Sequence, residues 1–341
     1  MGHPSIENKT PFVFEFMGVA DEEGRPHVLL LAKATYDLGT TGLVLAEQQV
    51  PVNWGGEAWG KPGESSDKYE PECAFIKPAT DVVLIGHAHA GQKEATEVQV
   101  SLQVGPLKKV VRVVGERTWF KSLGQVSMTK PLPFSRMPLT WERAFGGWDR
   151  TNPDPKKHTF EPCNPVGVGF RASSRNFEEG LRLPNLEDPQ VPLREFGQRV
   201  PPVGFGFTSP HWQPRAAYAG TYDEAWAKER KPLLPRDFDR RFFNAAPPGL
   251  VAPGYLQGNE PVTLVNVSSR GRLAFSLPGQ PAPNVTAVVA GGADLNPRLV
   301  LDTVILDTDA HRVMLLWRGS IPLFGGVRDL RALVLSSATA S

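Results

Sequence analysis

The sequence predicts a mainly β protein built of antiparallel sheets, a sandwich or a distorted barrel. Long ordered loops rich in Pro, Gly and aromatic residues accompany the sheets, with one or two short helices. Three observations carry this reading. Strand-like runs lie at both ends of the chain, no βαβ rhythm joins them, and the middle is irregular yet full of Trp, Phe and Arg. Segments that stay unfolded are poor in aromatics and rich in unbalanced charge, and this middle is the reverse.

Residues 11–125 form an N-terminal β half. Phe12, Phe14 and Phe16 alternate with Val13 and Glu15, the period of a half-buried strand. A turn at 21–24 leads into residues 26–36, whose apolar run HVLLLAKATY suits a strand covered on both faces. Residues 81–90, DVVLIGHAHA, read as another. In 97–104 the side chains of Val98, Val100, Leu102 and Val104 face one way, and Glu97, Gln99, Ser101 and Gln103 face the other. Gly105 and Pro106 then turn the chain into 107–114, a hairpin. Residues 53–72 make a loop with Trp54, Trp59 and many turn formers.

Residues 126–256 hold most of the prolines and form a loop-rich centre. One helix is expected at 221–231, TYDEAWAKERK. Thr221 or Asp223 can cap it, Glu224 lies in its first turn and Pro232 follows its end. A shorter helical turn is expected within 237–243. Residues 257–320 return to β, with strands at 262–267, 272–277, 285–290, 299–306 and 312–318 and a hairpin turn at 307–311. The small, polar tail 336–341 is expected to fray. Without repeats or a flexible linker, 1–341 reads as a single compact unit.

Composition excludes several classes. A net charge of +1 over 341 residues produces no strong field, so neither nucleic acid nor a membrane surface is indicated as partner. Cys73 and Cys163 are too few for a disulfide framework or a structural zinc site. The opening MGHPSIENKT has no basic segment followed by an apolar one, and no apolar run nears the ~20 residues of a membrane helix. A cytoplasmic location is expected.

The organising stretch is 133–171, PFSRMPLTWERAFGGWDRTNPDPKKHTFEPCNPVGVGFR. It has no regular period, yet carries Phe134, Trp141, Phe145, Trp148, Phe160 and Phe170. A coil packed by its own aromatics must satisfy its backbone, since a buried unpaired polar group costs roughly 1–3 kcal/mol. Arg136, Arg143, Arg150 and Arg171 can offer guanidinium forks to carbonyls, and Asp149, Asn152 and Asp154 can cap turn amides. Such a surface suits protein recognition, because Trp, Tyr and Arg dominate interface hot spots. The candidate partner-binding residues are Trp141, Arg143, Trp148, Asp149, Arg150, Trp212 and Arg215.

Catalytic chemistry has thinner support. His87 and His89 follow an apolar strand at period two and suit a metal pair, but no further ligands are singled out by spacing. The bland alternative is a strand end with two partly exposed imidazoles. Cys163 lies between two prolines, awkward for a nucleophile, and Cys73 in ECAFI reads as a buried strand residue. Glu57, Glu70, Glu72, Glu142 and Asp149 lie near tryptophans in sequence, so a carboxylate pair for glycoside hydrolysis stays open. Asp149, Asn152, Asp154 and Glu161 lack the spacing and glycine of a calcium loop. No cofactor and no catalytic set is expected, and a β-fold hydrolase using His87/His89 or paired carboxylates is the rival reading.

The phrases PLTWERAFGGWD, NPVGVGFR, LPNLEDP, GFGFTSPHWQPRAAYAGTYDEAW and PLLPRDFDRRFFNAAPPGLVAPGYL resemble the domain-of-unknown-function 2169 family. The resemblance runs from about Thr10 to about Arg318. Its members are similar to effector adaptors, or chaperones, of the bacterial type VI secretion system. The resemblance implies a protein that holds a toxin effector and helps load it onto the spike. Its partners would be that effector and a PAAR-type tip or the trimeric spike protein. It brings no catalytic residues. A structural component of the secretion apparatus is a further alternative.

Overall fold

The computed structural model describes residues 3–39 and 42–338. A six-stranded sheet draws on both ends of the chain, in the order Val13–Ala20, Pro26–Leu38, Arg312–Pro322, Val300–Asp307, Asp81–Ile85, with Leu43–Leu45 added beside Pro26–Leu38. Every pairing is antiparallel except that of Val300–Asp307 with Asp81–Ile85. The apolar run at 26–36 has the expected cause. Val28, Leu30, Ala32, Ala34 and Tyr36 face the main core, while Leu29 and Leu31 pack with Val52 and Leu316 on the other side. With both faces covered, even the polar Lys33 and Thr35 of this strand are buried.

A second sheet has five antiparallel strands in the order Leu186–Glu187, Leu107–Val114, Glu97–Val104, Pro261–Val265, Arg272–Ser276. Its Val100, Leu102, Val104, Val111, Val113, Val262 and Leu264 join the same core as the first sheet. A third sheet joins Ser5–Asn8, Leu330–Ser336 and Asn284–Val289. Among the described residues these ladders end on edge strands and none closes, so the distorted-barrel alternative is not the one formed.

Several boundaries differ from expectation. The run at 81–90 is two strands, because the chain breaks at Gly86 and His87–His89 pairs instead with Arg136–Pro138. Gly86 takes φ 154°, and a Cβ there would sit 2.1 Å from Thr308 Oγ1. Strand Leu330–Ser336 was not expected, and it claims the start of the supposed tail; residues 339–341 lie outside the described residues. The helix is Glu224–Glu229, with the Asp223 carboxylate accepting from the Trp226 amide at 2.8 Å. The shorter turn is a 3-10 helix, Arg240–Phe243, capped by Asp239. Loop 53–72 contains a small ladder of Glu57–Ala58 with Asp67–Tyr69.

Buried charges tie the loops to the sheets. Lys33 donates to Glu72 at 2.6 Å and to the Pro51 carbonyl at 3.0 Å. Arg318 pairs with Asp302 and donates to the Glu72 carbonyl at 3.0 Å. Lys77 bonds Asp81 at 2.8 Å and Thr303 Oγ1 at 3.1 Å. Arg215 pairs with Glu70, and also donates to the Thr208 and Phe242 carbonyls at 2.7 Å each. Burial of charge is tolerable only when partners of this kind are in place.

Candidate partner-binding cleft

The central stretch folds back at Trp148–Asp149, which pairs antiparallel with Thr159–Phe160 and sets Trp148 opposite Phe160. Between them, side chains cap the turns as expected. Asp149 accepts from the Thr151 amide, Asn152 from the Asp154 amide, and Asp154 from the Lys156 amide, each at 3.0 Å. Because successive strand residues point to opposite sides, Trp148 and Asp149 have opposite fates. Trp148 and Phe160 remain 41% and 42% exposed, their rings 4.5 Å apart. The Arg150 guanidinium lies 5.4 Å from the Trp148 ring centroid, within cation–π range.

Asp149 is buried and fastens the hairpin. Beyond the Thr151 amide it accepts from Thr151 Oγ1 at 2.6 Å, the Ala172 amide at 2.8 Å and Asn176 Nδ2 at 2.7 Å. Burial alone would raise its pKa. The hydrogen bonds from Thr151, Asn176 and Ala172 outweigh that and hold it down at about 2. The hairpin leaves the core through Gly147, whose φ is 93° and whose added Cβ would lie 2.2 Å from the Gly167 carbonyl oxygen. Only glycine fits there. The buried Asn164 amide completes the mount, donating to the Trp141 and Phe145 carbonyls at 2.8 and 3.0 Å.

This hairpin forms one wall of a cleft of about 1190 Å³. Residues 63–65, 165–167, 171, 177–178 and 211–212 contribute other walls. Of the candidates read from sequence, Trp148, Arg150 and Trp212 line it, and Trp212 is only 1% exposed. The rest are elsewhere. Trp141 is buried edge-to-face against Trp212 at 5.9 Å and donates to the Phe207 carbonyl at 2.8 Å. Arg143 pairs with Glu116 and donates to Asn185 Oδ1 at 3.1 Å. Asp149 and Arg215 are buried among hydrogen-bond partners; Trp141 and Asp149 support the cleft from beneath, while Arg215 is held by Glu70 and the Thr208 and Phe242 carbonyls.

Phe160, Arg171, Phe177 and His211, which are not among the candidates legible in the sequence, also line the cleft. For Phe160 a signal existed, since a hairpin through the Asn-Pro-Asp-Pro turn would set it across from Trp148. Arg171 was expected to serve a carbonyl and does, donating to that of Phe170 at 2.9 Å. Arg136, in contrast, pairs with Asp309 at 2.7 Å.

The catalytic candidates are placed as follows. His87 Nδ1 lies 2.7 Å from Asp309 Oδ2, and Arg136 Nη2 is 3.0 Å from the same nitrogen. The His89 pKa is lowered by burial and then by the Arg136 charge. Among the described residues no three His, Cys, Asp or Glu side chains gather in a way that could hold a metal ion. Cys73, expected to be a buried strand residue, is exposed in a turn. Burial and then the Glu161 carboxylate push the Cys163 thiol up to about 11, which disfavours the thiolate a nucleophile needs. No helix of the described residues is long and apolar enough to cross a membrane.

Comparison with curated proteins and with solved structures returns no match. Residues 23–318, most of the chain, match the family described as an uncharacterized protein conserved in bacteria (DUF2169), and the protein belongs to that family.

Proposed function

We propose that this protein is an effector adaptor of a type VI secretion system. In this reading it holds a toxin effector in the cytoplasm and helps load it onto a PAAR-type tip or the trimeric spike. The observation that carries the proposal is the Trp148–Phe160 pair, left in water beside Arg150 on a hairpin fastened from below by Asp149. Large exposed aromatics on a rigid mount are the anchors that protein interfaces use, because little side-chain freedom is lost when they are covered. The family resemblance of the sequence supplies the identity of the partner. No catalytic role is assigned to any residue. The test is co-purification of the neighbouring effector with the wild type and with Trp148→Ala. The variant should lose the effector while giving up only the aromatic pair's own contribution, about 0.5–1.5 kcal/mol of stability. Full retention of the effector by Trp148→Ala and by Phe160→Ala would move the interface elsewhere.

A further inference from the structure

We infer that the cleft seats an acidic peptide segment of the partner, a carboxylate side chain flanked by an apolar one. The inference rests on the adaptor reading, and names what that partner presents. Its basis is an uneven ion pair. Arg171 is 8% exposed and cannot leave the cleft wall, whereas the Glu178 side chain that pairs with its Nη2 is 61% exposed. An exposed carboxylate gains little from such a pair, but a buried guanidinium without an anion is costly. Glu178 therefore behaves as an internal substitute. A partner carboxylate can take its place on Arg171 while Glu178 returns to water.

The remaining charges point the same way. Glu64 is paired with Lys61 at 2.5 Å, whereas Arg150 makes no ion pair among the described residues. The unpaired charge at the cleft is positive. Beside it, Trp148, Phe160 and Phe177 offer apolar surface to the flanking side chain. A neutral sugar would leave Arg150 without an anion, and a phosphate dianion would bring a second charge toward Glu64 and Glu178. A peptide carboxylate meets the cleft's unpaired positive charge, and its apolar neighbour meets the aromatic wall.

The test is selection from a phage-displayed random peptide library on the full-length protein. An excess of the Trp148→Ala/Arg150→Ala variant serves as soluble competitor, with circular dichroism checking that it is folded. Recovered peptides are expected to carry Asp or Glu next to an aromatic or aliphatic residue. A synthetic copy should bind about tenfold more weakly to Arg150→Ala, a loss of about 1.4 kcal/mol. It should bind severalfold more tightly to Glu178→Gln, because the substitute carboxylate is gone. A merely structural Glu178 would give no gain. Recovery of no peptide, peptides without acidic residues, peptides removed equally by the double variant, or unchanged or weaker binding to Glu178→Gln overturns the inference. So does binding to a glycan array with none to peptides. If effector co-purification survives these failures, the adaptor reading stands without this cleft. If acidic peptides bind but no effector depends on the protein, the adaptor reading fails and the cleft stands.

Discussion

The carboxylate of Asp149 and the side-chain amide of Asn176 meet at 2.7 Å, joining the hairpin that carries Trp148 to the loop that carries Arg171 and Glu178. The two sides of the cleft are thus held by one buried acid.

That acid makes the mount sensitive to low pH. With its folded pKa held down at about 2 against an ordinary value of 3.8, Asp149 stabilises the fold at any pH above about 4. The contribution, about 2 kcal/mol at neutral pH, is lost as pH falls through about 2. Asp149→Asn places donors against donors and should destabilise by roughly 2–4 kcal/mol. Urea unfolding across this pH range should show the wild type converging on the variant as pH falls. Parallel curves would mean that Asp149 is not the anchor.

Lys77 should be costly to remove. It is buried between Asp81 and Glu70, and attraction to these carboxylates keeps it charged despite its desolvation. Lys77→Met would leave the buried Asp81 carboxylate without a cation while Glu70 keeps Arg215, and roughly 3–5 kcal/mol is expected. Adding Asp81→Asn should recover part of the loss, since the stranded charge is then gone. Denaturant midpoints of the single and double variants check both statements.

Gly147→Ala should damage the hairpin without touching the aromatic pair. Its φ of 93° and the 2.2 Å approach to the Gly167 oxygen leave no place for a methyl group. We expect a loss of at least about 1–3 kcal/mol. Trypsin should then cleave at Lys156–Lys157 faster than in the wild type, whose 133–171 region should resist. Equal cleavage rates would show that the loop was mobile to begin with.

Much of the β framework was legible because its signals are local. Glu97–Val104 alternates by side, and the buried run within Pro26–Leu38 is long enough to need two covers. Leu330–Ser336 escaped notice because what makes it a strand is its pairing with Ser5–Asn8 and Asn284–Val289, neither of which is adjacent in sequence. The site was legible in part for the same reason. Trp141 and Trp148 occupy similar stretches of Gly- and Pro-rich chain, yet one is buried against Trp212 and the other stays exposed beside Phe160 and Arg150. That difference is decided by distant chain segments, so no local pattern records it. The turn caps at Asp149, Asn152 and Asp154 were readable, because an Asx turn needs only a carboxylate or amide and the residue two places on.

His87 and His89 offer a direct test of the hydrolase alternative. The Arg136 cation lies 3.0 Å from His87 Nδ1, and the two groups share the Asp309 carboxylate, one on each oxygen. A dication would have to displace that guanidinium or sit beside it. Elemental analysis of the purified protein should find no stoichiometric zinc or iron. About one metal per chain, lost on changing both histidines to alanine, would revive the metal-dependent reading.

The adaptor role is tested most directly by deleting the gene and measuring the effector. A client stabilised by a bound partner gains RT ln(1 + [L]/Kd), about 2.7 kcal/mol at a hundredfold excess over Kd, and forfeits it when that partner is absent. The deletion strain should therefore show lower effector levels and secretion, while the tube protein is still exported and a wild-type copy restores the loss. A strain that keeps normal effector levels and toxicity, or that loses tube export as well, would contradict the adaptor role.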